Sequence, residues 1–178
     1  MTQQETISKH DNNSFSDIKK RVYDECSLHF SNLQMEDESK EYGACTFTVN
    51  SLVVIGRNAK QTPKKTGQFV TIWKRADNGP TQPFSASDSF DFFVINTRKG
   101  DHFGQFVFPK AALIKHRIIS EPSVRGKLGM RVYPPWELAE SKQAMKTQGW
   151  QLEFFLRIPR DSTVDVERAK LLYAKTPL

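Results

Sequence analysis

One apolar run constrains the fold more than any other stretch of the chain. Within SFDFFVINTR, the residues from Phe90 to Ile95 are almost wholly apolar, and the turn-forming residues Arg98-Lys99-Gly100-Asp101 follow. A short apolar run that ends at a turn is typical of a strand buried on both faces. We therefore predict a central strand in a sheet that is covered on each side.

Hydrophobic spacing and turn residues predict the other elements. Helical spacing predicts a first helix over about 14–31, a long helix from about 136 to 156, and a last amphipathic helix over 163–174. Pro109 suits the start of a short helix. Strands are predicted within CTFTVNSLVVIGR, from Gly67 to Trp73, from His102 to Phe108 and at MRVY. This order predicts an α+β (mixed α/β) fold with a single central β-sheet flanked by helices. We expect one domain over residues 14–178, after a flexible tail over 1–13.

The tetrapeptide GQFV occurs twice, at Gly67–Val70 and at Gly104–Val107. The flanking residues differ and no third copy exists, which excludes a repeat architecture. Both copies begin a predicted strand beside a turn, where glycine gives the backbone freedom. Strand alternation then predicts that the Gln and Val of each copy face one way and the Phe faces the other.

Cysteine usage and the N-terminal residues indicate a cytoplasmic protein. Cys26 and Cys45 are the only cysteines, and they form neither a CxxC motif nor a Cys/His cluster. That pattern favours a reducing compartment and argues against a structural zinc site. The first residues, MTQQETISKHDNNSFSD, contain no apolar stretch typical of a secretory signal. No apolar run is long enough to span a membrane. We expect no cofactor and no membrane partner.

Positive charge is concentrated in the middle of the chain. Residues 57–131 contain 14 Lys and Arg against 5 Asp and Glu, a net charge of +9, whereas residues 1–50 carry a net charge of −4. Such asymmetry favours a polyanionic partner, and basic residues in loops and at strand ends can reach phosphates. We predict binding to DNA or RNA. The predicted contact residues are Lys60, Lys64, Lys65, Lys74, Arg75, Lys110, Lys127, Arg131 and the stacking residue Trp136.

Candidates for catalysis are fewer. A nuclease of the restriction type needs a carboxylate at one strand start and a Glu/Asp-x-Lys on the next, to hold Mg²⁺ and activate water. Asp91 and Lys110 occupy two of these places, but Phe108 stands where the second carboxylate is needed. Glu41 is the remaining candidate ligand. We therefore expect binding without cleavage. The alternatives are a Mg²⁺-dependent nuclease that uses Asp91, Lys110 and Glu38 or Glu41, and an enzyme that acts on a nucleotide-like polyanion.

Several long motifs resemble those of the MepB-like protein family. They are ESKEYGACTFTVN, AKQTPKKTGQFVTIWKR, GQFVFPKAAL, GKLGMRVYPPW and QAMKTQGWQLEFF, which together cover about residues 39–155. The resemblance implies a restriction-endonuclease-like fold associated with nucleic-acid binding, and it implies no catalytic residue. It also suggests why glutamines persist among apolar strands and a helix. Under this reading, one polar cleft is formed by Gln68, Gln105, Gln148 and Gln151.

Overall fold

The sequence forms eleven strands and four helices within residues 15–174, the part of the chain that the computed structural model describes. The strands are β1 (Phe30–Met35), β2 (Cys45–Val49), β3 (Leu52–Asn58), β4 (Lys60–Thr62), β5 (Lys65–Thr71), β6 (Trp73–Arg75), β7 (Thr81–Pro83), β8 (Phe92–Lys99), β9 (His102–Pro109), β10 (Gly129–Val132) and β11 (Phe155–Arg157). The helices are α1 (residues 15–24, π-helical over Lys19–Asp24), α2 (Lys110–Lys115), α3 (Lys142–Leu152) and α4 (Val166–Leu172). A 3-10 turn covers Lys40–Tyr42.

Six of the strands form the main sheet, in the order β1-β2-β3-β8-β9-β11. The sheet is mixed, because β3 and β8 pair in parallel while the other neighbours pair antiparallel. The apolar run lies in β8, between β3 and β9, and its residues are buried as far as Thr97. The prediction of a central strand is therefore confirmed.

Each face of the main sheet contributes to a separate hydrophobic core. Phe92 and Val94 pack on one face with residues of α1 and α4, whereas Phe93 and Ile95 pack on the other with residues of β5, β10 and α2. This alternation follows from the two-residue period of a strand. The protein is thus an α+β fold with a mainly β core. Helices α1 and α4 form the layer on one face of the main sheet, whereas the second layer, on the other face, consists largely of strands.

That second layer differs from the predicted single sheet. A three-stranded sheet in the order β10-β5-β4 covers one face, and β6 and β7 form a separate two-stranded sheet. The prediction missed β1, β4, β6, β7 and β11, all of which have six residues or fewer. Such short strands offer too little periodicity to be read from the sequence.

Two predicted helices extend too far. The first was expected to reach residue 31, but helical structure ends at Asp24 and β1 begins at Phe30. The long helix predicted over 136–156 is wrong at both ends, because α3 covers only Lys142–Leu152 and Phe155 belongs to β11. This helix was predicted from the helical spacing of Leu138, Met145, Leu152 and Phe155. Leu138 and Met145 are 75% and 55% exposed, so these residues form no continuous buried stripe.

Residues 1–14, which include the predicted flexible tail over 1–13, lie outside the described part of the chain. Within that part, no helix has both the length and the apolar character that crossing a membrane requires.

Candidate functional site

A polar cavity of about 490 Å³ opens between β10, α3 and the end of α2. Five of its lining residues belong to helix α3 or its N-cap, and three belong to β10 and the residue after it. The full lining is Lys65, His116, Ile118, Lys127, Met130, Arg131, Tyr133, Ser141, Gln143, Ala144, Thr147 and Trp150. We call this the cationic cavity.

Three positive side chains face this cavity. Lys65 comes from the start of β5, Lys127 from the loop before β10, and Arg131 from β10 itself. None of the described residues that line the cavity is acidic. Like charges that gather without a counterion in a concave surface raise the local positive potential and favour an anionic ligand.

The guanidinium of Arg131 is held in place by neighbouring strands. Its Nη2 donates to Oγ1 of Thr62 at 2.7 Å, and its Nη1 donates to the carbonyl oxygens of Thr66 and Gly67 at 3.3 Å. These bonds connect β10 to the β4–β5 hairpin on which Lys65 lies. Since the side chain is already ordered, less conformational entropy is lost when an anion binds.

Helix α3 forms the opposite wall. Its N-cap is Ser141, whose Oγ accepts from the backbone N–H of Ala144 at 3.1 Å. Gln143, Thr147 and Trp150 follow at spacings of four and three residues, which places them on one face of the helix. The cavity therefore has cations on its β side and neutral polar and aromatic groups on its helical side.

Two glutamines fasten α3 to the segment after β10. Nε2 of Gln148 donates to the carbonyl oxygens of Pro134 at 3.1 Å and of Glu137 at 2.9 Å. Gln151 accepts from the backbone N–H of Tyr133 at 2.8 Å and donates to the carbonyl oxygen of Arg131 at 2.9 Å. These bonds fix the distance between the two walls of the cavity.

His116 and Trp150 form a stacked pair at one end of the cavity. Their ring centroids are 4.0 Å apart and the ring planes differ by 8°. Partial burial lowers the pKa of the His116 imidazole, and the nearby Lys115 lowers it further. The imidazole is therefore neutral at pH 7, and the pair presents an uncharged aromatic surface beside three cations.

The other predicted contact residues lie elsewhere. Lys64 is exposed in the β4–β5 turn next to Lys65, and Lys60 lies over the Tyr42 ring at 4.6 Å. Lys74 forms an ion pair with Asp88, and Arg75 donates to Glu38 at 2.9 Å. These two are partly neutralised by their carboxylates.

Trp136, the predicted stacking residue, is half-buried. Its indole stacks on the His102 ring with centroids 5.2 Å apart and packs edge-on against Phe155. One face of Trp136 is therefore already occupied within the protein. The structure thus brings Lys65, Lys127 and Arg131 together and leaves the other six predicted residues outside the cavity.

The candidate catalytic residues converge only in part. Asp91 and Lys110 are neighbours, since the Lys110 backbone N–H donates to the Asp91 carbonyl oxygen at 3.0 Å. Oδ2 of Asp91 accepts from Val53 at the start of β3. Glu41 belongs to the loop that flanks the other end of β3, where Glu36 pairs with Arg57. Glu41 is thus separated from Asp91 by the length of that strand.

Neither Lys110 nor Phe108 has the setting that a Glu/Asp-x-Lys motif requires. Nζ of Lys110 donates to the Asp88 carbonyl oxygen and lies 4.9 Å from the centre of the Phe90 ring. Phe108 is fully buried in the core. Within residues 15–174, no three His, Cys, Asp or Glu side chains gather closely enough to hold a metal ion.

The four glutamines do not share one cleft. Gln148 and Gln151 hold the 131–137 backbone, as described above. Gln68 is fully buried and donates to the Arg98 carbonyl oxygen at 3.2 Å. Gln105 lies on the opposite face of the main sheet, where it accepts from Tyr173 at 2.6 Å. Buried amides need hydrogen-bond partners, and here they stabilise the backbone and the core in three separate places.

Sequence reasoning did not assign several residues that line the cavity to a binding site. These are His116, Ser141, Gln143 and Thr147. The polar face of α3 was available as a signal, because Gln143, Thr147 and Trp150 recur at helical spacing. No local signal connects His116 to Trp150, since their contact depends on how α2 and α3 pack.

Comparison with known proteins identifies relatives of this chain. A family model described as MepB-like matches residues 36–157. The crystal structure of MepB superimposes with a TM-score of 0.71 at 33% sequence identity, and the match covers 74% of this chain and 89% of that one. A bacterial homing endonuclease, I-Ssp6803I, gives a TM-score of 0.47 at 16% identity over 84% of this chain and 93% of the other. Among curated proteins, none matches the chain.

Proposed function

The chain belongs to the MepB-like family, and we propose that it binds nucleic acid through the cationic cavity. We also infer that the mixed sheet is a restriction-endonuclease-like scaffold, as the family resemblance implies. The observation that supports binding is the convergence of Lys65, Lys127 and Arg131 on one cavity whose described lining includes no acid. Phosphate oxygens are the common ligands of such lysine and arginine groups.

The arrangement suits phosphate contacts rather than chemistry on a phosphate. Lys65 and Lys127 are exposed and can adjust to a flexible nucleic-acid backbone. Arg131 is held rigidly and can bind a phosphate in a defined position. Lys64 adds a fourth cation at the adjacent turn. Contacts of this kind bind the backbone without reading base sequence.

Fluorescence anisotropy with labelled DNA and RNA at several salt concentrations tests this function. If about four to six phosphates are contacted, affinity falls roughly 10²–10³-fold between 50 and 200 mM salt. The Lys65→Ala/Lys127→Ala protein should show a logarithmic salt slope that is shallower by about 1.8 on duplex DNA.

A matched control removes the same charge elsewhere. Lys20 and Lys170 are exposed on α1 and α4, the helices that cover the other face of the main sheet. The Lys20→Ala/Lys170→Ala protein has the same net charge as the cavity variant and should bind like the wild type. Equal losses in the two variants, or an affinity that salt does not change, would contradict a site at the cationic cavity.

A Mg²⁺-dependent nuclease is the second candidate function, and the contact between Asp91 and Lys110 is the observation that favours it. The position of Glu41 at the other end of β3 argues against it, because two-carboxylate sites need their oxygens within about 2.0–2.6 Å of one ion.

A further inference from the structure

A second cavity lies on the far side of the His116–Trp150 pair. Its volume is about 600 Å³, which is within the roughly 300–1,000 Å³ typical of small-molecule sites. His116 and Trp150 line both cavities, so the stacked pair is their common wall. The second lining is mostly apolar and includes Phe90, Phe92, Ala112, Ile114 and Phe154. We call it the apolar cavity.

The two cavities differ in charge. The apolar cavity has two carboxylates, Asp91 and Glu153, and two ammonium groups, Lys110 and Lys115, so its formal charge is balanced. The cationic cavity has three positive groups and, among the described residues of its lining, none that is negative. A negatively charged group is therefore attracted to the cationic cavity, while an uncharged group with aromatic faces fits the apolar one.

A nucleotide unit of a single strand has both of these properties. Its phosphate is anionic, its base is flat and uncharged, and the two are joined by a short sugar. We propose that the two cavities bind a strand with unpaired bases, with a phosphate in the cationic cavity and a base in the apolar cavity against the His116–Trp150 pair. This inference rests on the proposed function and narrows its ligand from nucleic acid in general to single-stranded nucleic acid.

The aromatic pair is suited to this role. Trp150 packs against the buried Phe108 ring at 5.3 Å, which fixes its position, and both Trp150 and His116 remain partly exposed. Bases stack on such rings largely without regard to sequence, because every base has a π-face. The carboxylate of Glu153 can accept a hydrogen bond from a base N–H such as the N3–H of thymine, and the carboxylates in this lining repel a second phosphate. In a duplex the bases are stacked on each other and cannot enter the cavity.

The test compares three ligands that differ in base availability. They are a short oligothymidylate, an abasic phosphodiester strand of the same length and phosphate number, and a duplex of the same length. We expect the wild-type protein to bind oligothymidylate about 5- to 100-fold more tightly than the abasic strand, which is the range that stacking of one base provides. The affinity for the duplex should not exceed the affinity for the abasic strand.

Variants of the pair locate the effect. His116→Ala removes an uncharged ring from a partly exposed position and should weaken binding of oligothymidylate more than binding of the abasic strand, so that the preference for bases falls. His29→Ala is the control, since His29 is exposed and lies outside both cavities. Trp150→Leu should have a larger effect, and thermal unfolding shows whether that protein is folded. Trp136→Phe changes a half-buried indole that lies outside both cavities, and this protein should behave like the wild type.

The outcomes distinguish the two proposals. Salt-dependent binding with equal affinity for oligothymidylate and the abasic strand would overturn the single-strand inference and leave the proposed function standing. Tighter binding of the duplex would overturn the inference in the same way. Failure of all three ligands to bind would overturn the proposed function together with the inference. A preference for bases that survives in His116→Ala and is lost in Trp136→Phe would assign the base to the other site and overturn the inference.

Discussion

The hydroxyl of Tyr173 donates to Oε1 of Gln105 at 2.6 Å in the interior of the protein. This bond is part of a longer chain of side chains. Tyr23 and Tyr173 hydroxyls lie 2.9 Å apart, Gln105 donates to Asn96 at 3.2 Å, and Asn96 donates to Asn58 at 2.9 Å. Tyr23 and Tyr173 lie outside residues 36–157, which match the family model, and the other three lie within them. This series of hydrogen bonds thus joins α1 and the end of α4 to the strands of the region that matches the family model.

Replacing Tyr173 by Phe should destabilise the fold by about 1–3 kcal/mol. The substitution keeps the ring contacts with Tyr23 and Phe92 but leaves a buried acceptor on Gln105 without its donor. Urea unfolding measures the change. Tyr133→Phe is a suitable control, because Tyr133 is only half-buried. A loss equal to that of the control would show that the Tyr173 hydroxyl bond contributes nothing to stability.

Alkaline pH should lower the stability of this protein, and the loss should be larger than in a protein whose tyrosines are exposed. Burial raises the pKa of Tyr23 and of Tyr173 above the ordinary value near 10. Above about pH 10 the unfolded chain loses these protons while the folded protein retains them, so stability falls as pH rises. Unfolding measured from pH 8 to 11 should show this decline, and the Tyr23→Phe/Tyr173→Phe protein should show a shallower one. If stability fell equally steeply with pH in both proteins, Tyr23 and Tyr173 would not be the cause of the decline.

The glycines of the two GQFV copies should be sensitive to substitution for different reasons. Gly67 has φ +81, which side chains rarely adopt, whereas a Cβ on Gly104 would lie 2.7 Å from the carbonyl oxygen of Leu156. Gly104→Ala should therefore cost about 1–3 kcal/mol by forcing β9 and β11 apart, and Gly67→Ala should cost a similar amount. Thermal unfolding is the measurement.

Gly149 provides the matched control for these substitutions. It lies within α3, and nothing in the described structure is within 4 Å of a Cβ placed there. Gly149→Ala should stabilise the protein by about 0.5–1 kcal/mol, because alanine favours the helix. Destabilisation by Gly149→Ala would show that the changes at Gly67 and Gly104 are not specific to their positions.

The purified protein is expected not to cut DNA or RNA with Mg²⁺ or Mn²⁺. Asp91 and Lys110 are adjacent, but Glu41 lies at the other end of β3 and Phe108 is buried where a second carboxylate would be needed. A time course on supercoiled plasmid and on labelled single strands measures cleavage. Asp91→Ala and Glu41→Ala are the controls. Metal-dependent cleavage that disappears in either variant would establish the nuclease function instead.

The elements that the sequence predicted well are those whose signals are local. The apolar run in β8 required a position between two other strands, and the turn before β9 together with Pro109 at its end marked the bounds of β9. The long motifs were sufficient to recognise the MepB-like family, which the family model confirms over residues 36–157. Strand alternation in the second GQFV copy was also predicted correctly, with Val107 in one core and Phe106 in the other.

The site itself depended on tertiary packing. Lys65, Lys127 and Arg131 were predicted as members of a scattered basic set, and only the pairing of β5 with β10 brings them around one cavity. The contact between His116 and Trp150 is set by how α2 and α3 pack, and no sequence period relates the two residues. The sequence alone therefore determined the central strand, the α+β class and the family, because their signals are local. Only the tertiary structure decided which charges and rings share a surface, because those contacts join segments that are distant in the chain and depend on strand register.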